Sequence, residues 1–476
     1  MSSLFKNAAK KATLNKTASF ECFENVSRKS YFRHKFDPTL EAFVQDVVEG
    51  EMEASAMSVA LEGATRELYR MKIYTKWRGC DNYVAKKYRA HIGATKEMYF
   101  SDCQMQMVAK KVAEEYNKLK PPHRIDFLEC FVIEERCDDG ESNFWCCEKF
   151  VSGEYVKHSS NSGFVQEVHH RLTPHAFSHF SFVHFKGKRM IVDIQGVGDL
   201  WTDPQVHCID KPNEFGVGNL SITGIAKFFK TYRFNPLCEW LGLTPFEHSP
   251  YGQEAAMKHL DWDALTHQWK ITDLASRINP YRASIAKRSA SLGGDVHFKL
   301  AQMFENGIFD EVDLPSAVFH MECAARMGDA NANVIMAKVY SGISRDVLRE
   351  HTVAEDNGKA YAFWLAAAQG GSLEAMSAVA SYLDGSLTSP AVQTSYKDAV
   401  SWYIALVSKH EELCENADLA EDDFELHSIL AKIGSLYEQG GYGLKRSAIK
   451  ACEYYNNAAI LLTCNIYVYI YVYIDR

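Results

Sequence analysis

Asp193-Ile194-Gln195-Gly196-Val197-Gly198-Asp199-Leu200-Trp201-Thr202-Asp203-Pro204-Gln205 is the stretch on which the fold turns. It follows the apolar run Arg189-Met190-Ile191-Val192, so a strand ends at Asp193. Gly196 and Gly198 then bend the backbone tightly, and Asp199 and Asp203 put two further carboxylates into the same loop. Hard oxygen donors at that density suit Mg²⁺ better than a soft metal. Phosphoryl transfer needs such a site, because the ion neutralises phosphate charge while a second acid positions the attacking hydroxyl. A solvated acidic hairpin would have the same composition.

Two other stretches carry matching chemistry. In Asn82-Tyr83-Val84-Ala85-Lys86-Lys87-Tyr88, strand alternation points Lys86 opposite to Ala85. An apolar strand then delivers one ammonium to an interior cleft, where it can hold phosphate oxygens as a compact point charge. In Phe215-Gly216-Val217-Gly218-Asn219-Leu220, the glycines let main-chain N–H groups approach a phosphate or an extended peptide. An exposed edge lysine and an ordinary loop are the bland counterparts of these two.

The pieces occur in one order: Val84-Ala85-Lys86, Asn161-Ser162-Gly163-Phe164, Arg171-Leu172-Thr173-Pro174 with Ala176-Phe177-Ser178-His179-Phe180, Val192 to His207, and Gly242-Leu243-Thr244-Pro245-Phe246. In that order and spacing, residues 66–250 resemble the alpha-kinase family, in the branch that phosphorylates elongation factor 2 and carries Sel1-like repeats. The resemblance implies an α+β kinase domain of atypical, alpha type and a Ser/Thr kinase activity using ATP and Mg²⁺. It implies that Lys86 contacts the ATP phosphates, that Gly63 belongs to the loop covering the nucleotide, and that Glu148 meets the adenine at a hinge. Asp193 corresponds to the catalytic aspartate, Gln195 and Asp203 to the Mg²⁺ ligands, and Gly216, Gly218 and Asn219 to the loop near the peptide substrate. The implied partners are elongation factor 2, phosphorylated on threonine to slow translation elongation, and calmodulin.

Several positions depart from the family. Its structural zinc uses one histidine and a downstream His-x-Cys-x-x-x-Cys; here His179 stands at the first position and only Cys238 remains of the second set. Two ligands are too few for a structural zinc. Either Tyr232 and Phe234 fill the space, or His175, four residues from His179 and on the same face of a helix, joins as a ligand; loss of zinc with apolar packing is the preferred reading. Ser221 replaces a glycine after the glycine-rich loop, and Gly63 is what remains of a glycine pair in Leu61-Glu62-Gly63-Ala64-Thr65-Arg66. The basic segment around Lys6, Lys10, Lys11 and Lys16 is similar to a calmodulin-binding helix, but Ala9 and Thr13 stand where bulky anchors are expected. Calmodulin regulation is therefore left open.

The 476 residues exceed one ordinary core, and 47% apolar with 24% charged residues describes a globular chain. A net charge of -9 argues against a general nucleic-acid binder. Thirteen cysteines without a regular framework, and no apolar leader, point to reduced thiols in the cytoplasm. The expected domains are a basic segment over 1–30, the kinase domain over 31–250, a linker over 251–294 and helical repeats with a tail over 295–476. Within the kinase domain, Phe127 to Ile133 is expected as one strand and Cys103 to Lys118 as a helix. Leu300 to Phe304 with Gly307, Val379 to Tyr382 with Gly385, and Ile433 to Tyr437 with Gly440 each set an aromatic three residues before a glycine. That recurrence predicts stacked helix pairs, an all-α solenoid resembling Sel1-like repeats. The tract Ile466 to Ile474 is too short for a membrane helix, and its β-branched and aromatic residues predict a strand.

Two other readings compete with an active elongation factor 2 kinase. One is a scaffold whose kinase-like domain has lost catalysis and which acts through its repeats; joint retention of Lys86, Asp193, Gln195 and Asp203 weighs against it. The other is an alpha-kinase with another substrate, such as a myosin heavy chain.

Overall fold

The structure is a computed structural model that describes residues 26–56, 66–75, 79–163, 171–250, 278–309, 311–415 and 425–474, with backbone alone for 54–56 and 463–474. The basic segment and Gly63 lie outside the described residues. The chain divides into two compact units, Met1–Leu292 and Gly293–Arg476.

In the first unit, β1 (Lys29–Asp37), β2 (Ala42–Ala56), β3 (Arg66–Thr75), β4 (Gly79–Tyr88), β6 (Cys130–Arg136) and β7 (Ser142–Lys149) close a barrel in the order β1-β2-β3-β4-β7-β6. Inward positions alternate along these strands, so Tyr31, Met71, Ile73, Ala85, Phe131, Ile133 and Trp145 form one core. Helix α1 (Lys96–Lys118) lies on the other face of β6 and β7, where Tyr99 and Cys103 meet Cys130, Val132 and Cys146. A second sheet has the order β5-β11-β10-β8, from β5 (Asp126–Phe127), β8 (Tyr155–Lys157), β10 (Gln195–Val197) and β11 (Leu200–Thr202). The strand expected from Phe127 to Ile133 is thus two strands: Leu128 and Glu129 carry the chain from the second sheet into the barrel. β9 (Arg189–Val192) pairs with β12 (Gln205–Cys208), and α2 (Leu172–His184) packs on β9. Among the described residues that follow are three shorter helices, α3 (Ser221–Thr231), α4 (Pro236–Leu241) and α5 (Arg282–Ser289).

The described elements of the second unit are all helices: α6 (Gly294–Glu305), α7 (Leu314–Arg326), α8 (Ala330–Tyr340), α9 (Asn357–Gln369), α10 (Leu373–Leu383), α11 (Tyr396–Glu415), α12 (Leu426–Gln439) and α13 (Ala448–Ile474). Its turns repeat. After α7, Asp329 N–H donates to Ala324 O and Gly328 N–H to Ala325 O; after α9, Ser372 N–H donates to Ala367 O and Gly371 N–H to Ala368 O. Each glycine has a left-handed φ, +87° at Gly328 and +92° at Gly371, and the next residue's side chain caps the following helix. Small residues such as Ala360, Ala367, Ala375 and Ala380 are fully buried where neighbouring helices meet, around Trp364 and Tyr403.

The tail corrects an expectation. Ile466 to Ile474 is the end of α13, not a strand. The segment continues a helix already begun at Ala448, and adding a residue to a formed helix costs far less than starting one, so β propensity is overridden. Among the described residues no helix is long and apolar enough to cross a membrane.

Candidate active site

The site is built where the outer face of β4 meets the turns on either side of β10 and β11. Ala85 is fully buried in the barrel core, and the pleat sends the neighbouring Lys86 out through the opposite face. Its ammonium has three protons, and each has an acceptor: Glu148 Oε1 at 2.6 Å, Asp203 Oδ2 at 2.6 Å and Thr202 Oγ1 at 3.4 Å. Burial alone would depress the Lys86 pKa, but Asp203 and Glu148 outweigh it and hold the ammonium charged far above neutral pH.

Glu148 is the second anchor of that ammonium. It lies inside β7 and pairs with Val84 of β4 on one side and Cys130 of β6 on the other. Its Oε1 binds Lys86, and its Oε2 accepts from Gln106 Nε2 at 3.0 Å and from the Thr202 hydroxyl. Both carboxylate oxygens are committed, so the Glu148 side chain is the partner of Lys86.

Asp193 and Asp203 sit on the two turns that flank β10 and β11, both with left-handed backbones (φ +60° and +47°). Non-glycine residues adopt that region rarely, and aspartate tolerates it better than most. Between them Gly196 is obligatory: it pairs with Trp201 across the hairpin, its φ is +152°, and a Cβ would lie 2.3 Å from Leu200 O. Gln195 ties the two turns together, because its Nε2 donates to Asp203 O at 3.0 Å and faces Asp193 Oδ2 at 3.4 Å. Both partners can only accept, so the amide is oriented and its oxygen is turned away from them. The Asp193 carboxyl pairs with Lys157 Nζ at 2.7 Å, yet burial still raises its proton affinity above that of an ordinary aspartate. Asp203 is the opposite case: despite burial, Lys86 and Arg66 hold it below the usual carboxylate range.

Arg66, Asp102 and Lys157 belong to the site and were not singled out from the sequence. Arg66 spans the cleft, with Nη1 3.1 Å from Asp203 Oδ1 and Nη2 2.8 Å from Asp102 Oδ2 on α1. Tyr88 Oη completes the group by donating to Asp102 Oδ2 at 2.7 Å. An arginine, an aspartate and a tyrosine far apart in the chain leave no local pattern. The one available signal was Asp102 itself, an acid beside the apolar stripe of α1.

The glycine-rich stretch forms a tethered loop. Asn219 Oδ1 accepts from Cys208 N–H at 2.9 Å and Ser221 N–H at 2.8 Å, while its Nδ2 donates to Glu214 O at 2.9 Å. Gly216 has φ +70°, and a Cβ on Gly218 would run into the Gln205 side chain. Gln205 is the strand partner of Val192, the residue before Asp193, so the loop lies beside the turn carrying the acids.

His175 and His179 share a buried face of α2, but they do not converge on Cys238 as ligands. His179 Nδ1 is 2.7 Å from Tyr232 Oη, His175 stacks on the same tyrosine ring, and Cys238 lies against the Tyr232 hydroxyl. Tyr232 is buried at the centre of the group, and burial depresses the His179 pKa to about 3. Among the described residues no group of three or more His, Cys, Asp or Glu side chains could hold a metal ion.

Residues 61–238 match the Alpha-kinase family, and residues 295–329 and 430–461 match the Sel1 repeat. The eukaryotic elongation factor 2 kinase of Rattus norvegicus is 26% identical over 603 aligned positions, covering 92% of this chain and 82% of that protein. The one of Caenorhabditis elegans is 41% identical over 229 positions, covering 47% of this chain and 28% of that protein. Among solved structures, the alpha-kinase domain of myosin heavy chain kinase A in complex with ADP matches 45% of this chain and 95% of its own, at 31% identity and a TM-score of 0.42. Residues 61–238 belong to the alpha-kinase family, and the chain is a protein kinase with Sel1 repeats behind that domain.

Proposed function

We propose that this kinase is cytoplasmic and transfers the terminal phosphoryl group of ATP to a threonine of elongation factor 2, slowing translation elongation. The observation that carries the reading is the buried Lys86 ammonium held between Glu148 and Asp203, with Gln195 joining Asp203 to Asp193. The elongation factor 2 kinases among the relatives support the choice of substrate.

Lys86 would hold phosphate oxygens, oriented by Glu148. The carboxylate of Asp203 and the outward amide oxygen of Gln195 are hard donors and fit Mg²⁺. Bound there with ATP, the ion would neutralise charge on the phosphates. Asp203 is balanced here by Lys86 and Arg66, two cations that phosphates can also use. Asp193, with its raised proton affinity, is suited to orient the acceptor hydroxyl and take its proton. The loop of Gly216, Gly218 and Asn219, beside that acid, is suited to the acceptor peptide.

The test is phosphate incorporation into elongation factor 2 with ATP and Mg²⁺, for the full chain and for Asp193→Ala. Incorporation that depends on Asp193 supports the reading, and equal incorporation by both ends it. Arms with and without Ca²⁺-calmodulin decide whether the basic N-terminal segment is regulatory.

A further inference from the structure

Gln106 lies on the buried stripe of α1 between Cys103 and Ala109 and is 2% exposed. Its amide is fully engaged. Nε2 donates to Leu128 O at 2.9 Å and to Glu148 Oε2 at 3.0 Å; Oε1 accepts from Asp203 N–H at 2.9 Å, with the Thr202 hydroxyl 3.3 Å away. A carbonyl and a carboxylate can only accept and a main-chain N–H can only donate, so the partners dictate which end of the amide faces which way. The single Thr202 proton goes to the nearer Glu148 carboxylate.

These partners are the two sides of the cleft. Glu148 orients Lys86 from the barrel, and the Asp203 main chain is the turn that carries a metal-binding carboxylate. That turn is held in a left-handed conformation, and the following Pro204 has no N–H, so the Asp203 amide is the donor by which it can be tied down. A side chain needed for packing alone would be apolar at this depth, since a buried amide is tolerated only when its bonds are made.

We infer that Gln106 is a positioning residue for phosphoryl transfer: one amide fixes Glu148 and the Asp203 turn in a common frame, which sets the register of Lys86 against the metal-binding carboxylate. The inference rests on the kinase reading above. It assigns to α1 the role of relaying its own position to both sides of the cleft. Groups that orient a metal ligand commonly change metal affinity or activity by 10- to 100-fold when removed.

The test compares the full-length wild type, Gln106→Met and Val112→Ala in the same kinase assay, each with a thermal melt and a Mg²⁺ titration. Val112 is buried on α1 six residues beyond Gln106, and its apolar side chain can make no hydrogen bond to these groups, so it controls for loss of helix packing. Gln106→Met is expected to lower kcat by about 10- to 100-fold and to raise the Mg²⁺ needed for half-activation by about tenfold, with KM for the protein substrate within about twofold. Val112→Ala should leave all three within about twofold. The inference is overturned if Gln106→Met keeps kcat within about threefold, if its loss comes with an unmoved Mg²⁺ curve, or if Val112→Ala reproduces the pattern. Should Gln106→Met melt below the assay temperature, Gln106→Glu takes its place; it keeps the acceptor toward Asp203 and loses the donors, with the same expected shift. An inactive wild type would instead refute the kinase reading itself.

Discussion

Lys86 Nζ on β4 lies 2.6 Å from Asp203 Oδ2 on the turn after β11, so one ion pair joins the barrel to the acid-bearing turns. Glu148 sits at the same distance from that ammonium; Lys86 and Glu148 are buried and Asp203 is half-buried. Removing the cation therefore has two effects. Lys86→Met should lower kcat/KM by about 10²–10³-fold, as loss of one preorganised charge at the phosphates does. It should also cost about 3–5 kcal/mol, because Glu148 is left buried without its counter-ion. Adding Glu148→Leu should recover most of the stability and none of the activity. Urea unfolding beside the kinase assay separates the two; a double variant no more stable than Lys86→Met would show that the pair is not the reason for the loss.

Arg66 holds Asp203 from the other side while its second nitrogen holds Asp102 on α1. A planar fork with two donors in fixed directions can bridge two carboxylates, and an ammonium on a flexible stem cannot reproduce it. Arg66→Lys should therefore behave like Arg66→Ala in activity, both reduced by about 10-fold or more. Titrating ATP and Mg²⁺ locates the loss. Wild-type activity in Arg66→Lys would mean that charge alone, not the bridge, is what the cleft requires.

The local parts of this site were legible and the non-local parts were not. The opposition of Ala85 and Lys86 follows from the two-residue period of a strand, and the bend at Gly196 from the spacing of glycines among acids. The role of Glu148 depends on β7 closing the barrel against β4, a pairing between residues about sixty positions apart that no local pattern encodes. Arg66 meets Asp203 across 137 positions for the same kind of reason. The helix pairs were legible because one local device recurs, an aromatic three residues before Gly307, Gly385 and Gly440, and each of these glycines has a positive φ just past a helix end. Ile466 to Ile474 was misread because residue preference was weighed without the helix that runs into it from Ala448.

Gly196 and Gly328 test two different uses of glycine. At Gly196 a methyl group would meet the Leu200 carbonyl at 2.3 Å, and both strands of the hairpin would have to part. At Gly328 an added methyl group would meet nothing within 4 Å, so only the left-handed φ of +87° is at stake. Gly328→Ala should cost about 1 kcal/mol and leave phosphoryl transfer unchanged. Gly196→Ala should cost more, about 1–3 kcal/mol or above, and should impair activity because the two acids flank that hairpin. Melting curves and the kinase assay on both variants decide the matter, and equal effects on activity would sink the distinction.

His179 and His207 give the first unit a calculable acid sensitivity. Burial depresses their pKa values to about 3 and about 4, against an ordinary histidine near 6.5. Between those limits the unfolded chain binds protons that the folded chain refuses, so stability rises with pH across the window and falls as pH drops below about 6.5. Each histidine should contribute a slope of up to about 1.4 kcal/mol per pH unit there. The hydrogen bond between His179 Nδ1 and Tyr232 Oη does not relieve this, because a neutral ring satisfies it as well as a charged one. His179→Asn places an uncharged amide where Nδ1 was, and should therefore flatten the stability profile between pH 6.5 and pH 5 by about one histidine's share. Urea unfolding at half-unit pH intervals measures both slopes; parallel curves for wild type and variant would show that His179 takes up its proton in the folded state, contrary to its burial among Phe229, Tyr232 and the α2 backbone.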